Sequence, residues 1–330
     1  MKKLDFSALN ENGPRGVTAR KRFIILAAAV VAALVIAVLA LLIALISVSV
    51  KYSKDEDYIA VAATRVYDYY APDDLIELDD YSFGKIWIKA LRNVPKSNID
   101  LSRLSINGDY RYYSENGQIV SKLGVDVSYF QQDIDWKLVK QSGIEFALIR
   151  AGYRGYETGS LNKDNQFDSY MKGASSAGLE TGVYFYSQAV TVEEAIEEAE
   201  FTLEQIKGYN VTYPVIFDWE ITGEPGARTN DVDAATLTAC AAAFCNRIAE
   251  EGYIPMIYSA KRQAIFKMDR DSLAGYDFWL AEYNEEPEYP YLFQIWQYTS
   301  EASIPGIPGN VDMNISFVDY SKERAVKPDE

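Results

Sequence analysis

Tyr213-Pro-Val-Ile-Phe-Asp-Trp-Glu220 is the stretch that decides how this 330-residue chain reads. The apolar run from Val215 to Phe217 suits a strand buried on both faces, as in a parallel sheet. It ends in two carboxylates, Asp218 and Glu220, spaced i and i+2. On a strand that spacing points both side chains to one face, where they can converge on one substrate. Taken alone, the same residues could equally be solvated loop acids, so their surroundings have to decide.

Working outward, short apolar segments alternate with amphipathic ones from residue 123 onward. The patterning predicts strands at 124–128, 146–151, 181–187, 215–219, 254–258, 278–281, 293–297 and 311–314. It predicts helices at 133–141, 167–177, 192–207 and 233–251, the last beginning at an Asp cap and stopping before Gly252. Alternation of this kind implies a parallel sheet with helices outside it. Eight strands in that order predict an α/β fold, a (β/α)8-like barrel that is somewhat irregular and short, with thin crossovers near its end. An open doubly wound sheet is the alternative, but no Gly-rich phosphate loop follows the first strand.

Barrel enzymes carry their chemistry at the C-terminal ends of their strands. The first predicted strand carries Asp126, the fourth Asp218 and Glu220, and the eighth Asp312. In a closed barrel the first and eighth strands are neighbours, which brings Asp126 beside Asp312. Four carboxylates facing one bowl repel one another and raise some of their pKa values. A protonated acid beside an ionised partner is what glycosidic cleavage requires. Tyr153, Tyr184, Tyr186, Trp219, Tyr258, Trp279, Tyr283 and Tyr298 accompany the acids and could offer aromatic platforms to sugar rings; Trp296 reads as core.

The composition narrows the chemistry further. The chain has no histidine, which rules out Ser-His-Asp and Cys-His machinery and removes the commonest zinc ligand. The net charge is −16, and the first 22 residues are basic by +4, so the remainder carries −16 − 4 = −20. Such a body repels nucleic acid. Cys240 and Cys245 are five residues apart on one predicted helix, about 7–8 Å along its axis, and read as small packing residues.

Residues 23–46 form an unbroken apolar run, long enough as a helix to span a bilayer core of ~30 Å. A cleaved signal peptide would have an apolar region of only about 7–15 residues and a small-residue cleavage site, so an uncleaved anchor over 23–50 is expected. Arg20, Lys21 and Arg22 precede it, which places 1–22 in the cytoplasm and the rest of the chain outside the cell membrane. Residues 51–122 are rich in Tyr and Asp and read as a partly ordered stalk docked on the domain behind it. Within it, 54–70 could be a juxtamembrane helix, and Asn116-Gly117 reads as a hairpin turn. A tail at 321–330 closes the chain.

Several motifs occur in order: Gly124-Val-Asp-Val-Ser, Ile134-Asp-Trp, Phe146-Ala-Leu-Ile-Arg-Ala-Gly-Tyr-Arg and Gly182-Val-Tyr-Phe-Tyr-Ser-Gln-Ala. Pro214-Val-Ile-Phe-Asp-Trp-Glu, Phe278-Trp-Leu-Ala-Glu-Tyr, Gln294-Ile-Trp-Gln-Tyr-Thr-Ser and Gly309-Asn-Val-Asp-Met-Asn complete the series. Over roughly 123–320 the chain resembles glycoside hydrolase family 25, the muramidases or lysozymes that cut peptidoglycan. The resemblance implies that Glu220 is the general acid/base, Asp218 its partner carboxylate, and Asp126 and Asp312 supporting acids. It implies Arg150, Tyr184, Trp219, Tyr258, Trp279 and Tyr283 as substrate-binding residues, peptidoglycan strands as substrate, and no metal or cofactor. It also suggests substrate assistance by the sugar's N-acetyl group, with direct inversion through water as the rival mechanism. Two positions depart from the family's pattern: Gln132 and Ala302 stand where Gly is usual, and Gln132 could narrow the bowl or alter the backbone beside Asp126. A catalytically silent wall-binding protein, or a glycosidase acting on another N-acetylated polysaccharide, are the alternative readings.

Overall fold

The computed structural model describes residues 22–35, 37–42, 75–80 and 82–323. The expected segments at 1–21, 54–70 and 324–330 lie outside the described residues. The chain divides into two compact units, Met1–Leu75 and Ile76–Glu330. In the first, α1 (Arg22–Leu42) is a 21-residue helix of mean hydropathy 3.2. At ~1.5 Å per residue it is long and apolar enough to cross a membrane.

From the unit boundary onward, β1 (Leu75–Asp80) and β2 (Gly84–Lys89) pair as a two-stranded sheet. The Asp80 carboxylate accepts from the backbone of Ser82 and Phe83 and so closes the connection between them. β3 (Leu104–Asn107), β4 (Tyr110–Glu115) and β5 (Gln118–Ile119) form an antiparallel three-stranded sheet. Asn116 and Gly117 both adopt positive φ, 49° and 77°, as a two-residue hairpin turn requires, so the expected turn is present. Residues 82–122, read from sequence as part of a stalk, are ordered and packed on the barrel. The Leu91 amide donates to Tyr291 Oη at 2.7 Å, and the amides of Arg92 and Asn93 donate to Asp271. Tyr113 is buried with its ring edge-on to Phe317.

The barrel strands are β6 (Lys122–Val127), β7 (Phe146–Arg154), β9 (Glu180–Ser187), β10 (Val215–Trp219), β11 (Pro255–Ala260), β12 (Asp277–Ala281), β13 (Ile295–Ala302) and β14 (Val311–Ser316). A short β8 (Leu161–Lys163) pairs back onto the end of β7. β6 pairs with both β7 and β14, which closes the ring. All eight expected strands are present, but the expectation of an all-parallel sheet is corrected: β14 runs antiparallel to both β13 and β6. The reason is the connection. Only residues 303–310 separate β13 from β14, too few for a helical crossover, so the chain can only turn back.

Outside the ring lie α2 (Trp136–Gln141), α3 (Phe167–Ser176), α4 (Val192–Ile206), α5 (Ala234–Glu250), the six-residue α6 (Lys261–Phe266) and α7 (Tyr320–Glu323). Thr191 caps α4 through the Glu194 amide, and Asp233 caps α5 through the Thr236 amide. Cys240 and Cys245 are free and buried on α5, as expected. Each strand's two faces serve two cores. Val215, Phe217 and Trp219 pack outward against the helices, while Ile216 joins Phe146, Leu148, Met256 and Trp279 inside the ring. At the end of the ring opposite the acids, Phe146 stacks on Tyr213 at 4.4 Å. Gly124 makes room for it, since a Cβ there would sit 2.2 Å from the Phe146 ring.

Candidate active site

The strand alternation of β10 leaves Asp218 pointing inward, and Glu220 follows just past the strand end. Two glutamines hold that backbone from either side. Gln188 Nε2 donates to Glu220 O at 2.8 Å, and Gln263 Nε2 donates to Trp219 O at 2.7 Å. Gln188 is itself fixed by Thr229, whose hydroxyl donates to Gln188 Oε1. The antiparallel turn of β14 places the fourth acid: Asp312 sits directly opposite Asp126 in register. Opposed residues of an antiparallel pair share a face, so all four carboxylates line one bowl of about 260 Å³.

Asp126 is buried, and two side-chain amides aim at its Oδ2: Asn314 Nδ2 at 2.7 Å and Gln297 Nε2 at 2.9 Å. Each amide is oriented in turn by a donor on its oxygen. Trp279 Nε1 donates to Asn314 Oδ1 at 2.8 Å, and Tyr283 Oη donates to Gln297 Oε1 at 2.9 Å. Tyr258 has one proton and two acceptors in reach, Gln297 Oε1 at 3.1 Å and the Glu220 carboxylate. Burial raises the Tyr184 and Tyr258 phenols well above their ordinary value, so they act as neutral hydroxyls.

All four acids are pushed upward, first by burial. Asp126 is raised well above the carboxylate range by burial and then by the charge of Asp312, against the opposing pull of the two amides. Burial raises Asp312 to about 6. Burial and the charge of Glu220 raise Asp218 well above its usual value. Glu220 is raised by burial, opposed by hydrogen bonds with Asp218 and Tyr258. Asp218 and Glu220 are therefore two carboxyls that cannot both ionise cheaply. Asp218 Oδ1 is buried without a hydrogen-bond partner, an acceptor aimed into the bowl.

The bowl gathers Arg150, Tyr184, Tyr258, Trp279 and Tyr283 of the expected binding residues. Trp219 is not among them. It lies on the opposite strand face from Asp218, 1% exposed, with its indole N–H donating to Ala189 O at 2.9 Å. Period-two alternation forces this: whatever turns Asp218 and Glu220 inward turns the residue between them outward. Trp279 is also 1% exposed, so it serves as floor and as anchor for Asn314, not as a stacking face. Tyr283, 55% exposed, stands on the rim. Arg150 is ion-paired with Asp164, Nε to Oδ2 at 2.9 Å, beneath the rings of Tyr129, Phe130 and Tyr153. Trp296 is core, as expected, and donates to Glu282 O.

Gln297, Asn314 and Phe130 line or build the bowl without having been singled out as site residues, and Tyr186, one of the candidate aromatic platforms, lines it too. Gln297 and Asn314 lie two positions along their strands from Ile295 and Asp312, so the alternation that exposed the acids contained the signal. Gln132 is exposed and does not line the bowl. It adopts φ 53°, ψ −136°, a conformation natural to glycine, and its carbonyl accepts the Tyr170 hydroxyl. The departure therefore acts on the backbone, not on the width of the bowl.

An eight-stranded barrel with four raised carboxylates at one mouth, flanked by tyrosines, defines the architecture of a barrel glycoside hydrolase. The chain belongs to the glycosyl hydrolases family 25, whose sequence profile matches residues 125–307. It is 25% identical over 193 residues to the autolytic lysozyme of Clostridium acetobutylicum, covering 58% of this chain and 54% of that protein. It is 26% identical over 201 residues to lysozyme M1 of Streptomyces globisporus, covering 58% of this chain and 66% of that protein. The chain thus spans about half to two-thirds of the length of these relatives. Among solved structures, the modular autolysin LytC of Streptococcus pneumoniae in complex with a synthetic peptidoglycan ligand is similar, with a TM-score of 0.53 and 25% identity. That match covers 74% of this chain and 56% of the autolysin chain.

Proposed function

We propose that this protein is a membrane-anchored muramidase that hydrolyses the β-1,4 bond between N-acetylmuramic acid and N-acetylglucosamine in peptidoglycan. The observation that carries the reading is the Asp218–Glu220 pair, two raised carboxyls at the strand end of a bowl that also holds Asp126 and Asp312. Glu220 donates its proton to the leaving glycosidic oxygen as the C1–O bond breaks. The acetamido carbonyl oxygen of the same sugar attacks C1 and closes an oxazolinium ring. Asp218 accepts the acetamido N–H, which stabilises its ionised form and leaves the proton on Glu220 for transfer. Water then opens the ring at C1, giving its proton to Glu220. Asp126, held by Gln297 and Asn314, helps hold the substrate, and Asp312, once ionised, adds negative potential that favours the cationic intermediate. Arg150, Tyr184, Tyr258, Trp279 and Tyr283 shape the walls around the sugar.

The apolar α1 and the basic residues before it support an anchor with the N-terminus in the cytoplasm and the barrel outside, where peptidoglycan lies. The testing experiment is digestion of purified peptidoglycan with the full chain, with analysis of the new reducing ends. Muramic acid reducing ends, first formed as the β anomer by proton NMR, are expected, because two displacements at one carbon restore configuration. N-acetylglucosamine ends would overturn the bond assignment, and an initial α anomer would overturn the substrate-assisted step.

A further inference from the structure

Two clefts beside the bowl are walled partly by β1–β2 residues that precede the family-matched span. One, of about 500 Å³, lies between β1–β2 and α6, with Leu78, Ile86, Arg262 and Phe266 in its walls. The other, also about 500 Å³, is lined by Phe83, Ile221 and Phe266. Both volumes fall within the ~300–1,000 Å³ typical of small-ligand sites. The clefts share Ala260, Arg262 and Phe266, and both meet the catalytic centre: Tyr283 lines the first cleft and the bowl alike, and Ile221 directly follows Glu220. Phe83 is 67% and Phe266 44% exposed, one on either side of Arg262, whose guanidinium carbon is 5.4 and 5.8 Å from their ring centres.

Two of the cations in this groove, Arg262 and Lys261, are ion-paired. Arg262 Nε is 3.2 Å from Asp80 Oδ2, the same carboxylate that closes the β1–β2 connection. Lys261 Nζ is 2.7 Å from both Glu282 and Glu288. What the groove offers is aromatic and aliphatic faces beside mostly ion-paired side chains, with Asp79 and Lys267 at its edges. That chemistry fits an uncharged sugar and not the ionic groups of a stem peptide.

We propose that the β1–β2 sheet and α6 form an accessory subsite that binds an uncharged N-acetylhexosamine unit of the same glycan strand as it leaves the bowl. The subsite rests on the muramidase reading for the identity of the strand, and it makes this enzyme a reader of chain length. Phe83 stacks on the sugar, and Asp80 positions Arg262 between the two rings.

The test compares kcat/KM of the full chain on stem-free alternating oligosaccharides, a tetrasaccharide against strands of many units. Wild type is expected to favour the long strands. Phe83→Ala should lower the long-to-short ratio roughly tenfold, the size of one lost aromatic contact, and Phe83→Trp should restore it. An unaltered ratio in Phe83→Ala overturns the proposal, as does a loss that appears only when stem peptides are present. Failure of the muramidase reading would show separately, as absence of turnover on either substrate. Affinity for the same stem-free strands, measured in parallel by calorimetry, then decides the subsite: a weaker Phe83→Ala supports it and an equal one overturns it.

Discussion

At the scale of single residues, the site is a problem of protons held between buried acids. Glu220→Gln removes the transferable proton while keeping nearly the same shape, so turnover on peptidoglycan should fall by about 10²–10⁴ with little change in melting temperature; near-normal turnover by the folded variant would falsify its role as acid. Asp312 carries a pH signature of its own. Its folded pKa of about 6 lies above the ordinary 3.8, so the folded state binds the extra proton. The stability this group contributes is full below pH about 4 and is lost as pH rises through about 6. Asp312→Asn should therefore gain melting temperature relative to wild type as pH climbs from 4 to 7, and the gain should level off above 7. A constant offset across that range would show that Asp312 is not raised. The four acids were all legible in the sequence, because carboxylates at strand ends stand out in a chain without histidine. Gln297 and Asn314 were placed on the bowl face by the same alternation, but a neutral amide there is recognised as a site residue only once its partner is seen.

At the scale of elements, the 3₁₀ turn Tyr129–Gln131 after β6 shows how a local choice can be carried by its neighbours. The Ser128 amide donates to Gln131 Oε1, and the Gln131 amide donates back to Ser128 O. The chain then leaves through Gln132 in a glycine conformation, at a cost of order 1–3 kcal/mol. Gln132→Gly should relieve that strain and raise stability by about 1 kcal/mol, or about 2–4 °C for a domain of this size, measured by thermal melting. A loss of stability would mean that the side chain makes up for its backbone. The elements themselves were readable: 215–219 is matched residue for residue, α4 starts at the expected Val192, and α5 starts at its expected Asp233 cap. Strand direction was not readable. β14 has the same alternating pattern whichever way it runs, and only the short return from β13 turns it over.

At the scale of the whole molecule, charge and hydropathy are unevenly divided along the chain. A basic start and an apolar helix precede a body of net −20, and the proposed topology puts that body outside. Protease added to intact protoplasts should therefore degrade the barrel while leaving the first residues intact. A protected barrel would reverse the orientation. Residues 82–121, read as part of a partly ordered stalk docked on the domain, supply sheets, hydrogen bonds and part of the walls of clefts beside the bowl.

By itself the sequence determined the barrel, its order of strands and the four strand-end acids, because each rests on local periodicity or on a residue type at a strand end, and it showed the family through an ordered series of motifs. Tertiary structure decided which aromatics line the bowl, which amides hold Asp126, and how Asp312 comes level with it. Those depend on neighbours distant in sequence: Asp126 and Asn314 are 188 residues apart, yet 2.7 Å separates their bonded atoms. Periodicity along one strand fixes which way a side chain points, but only closure of the ring fixes what it meets there.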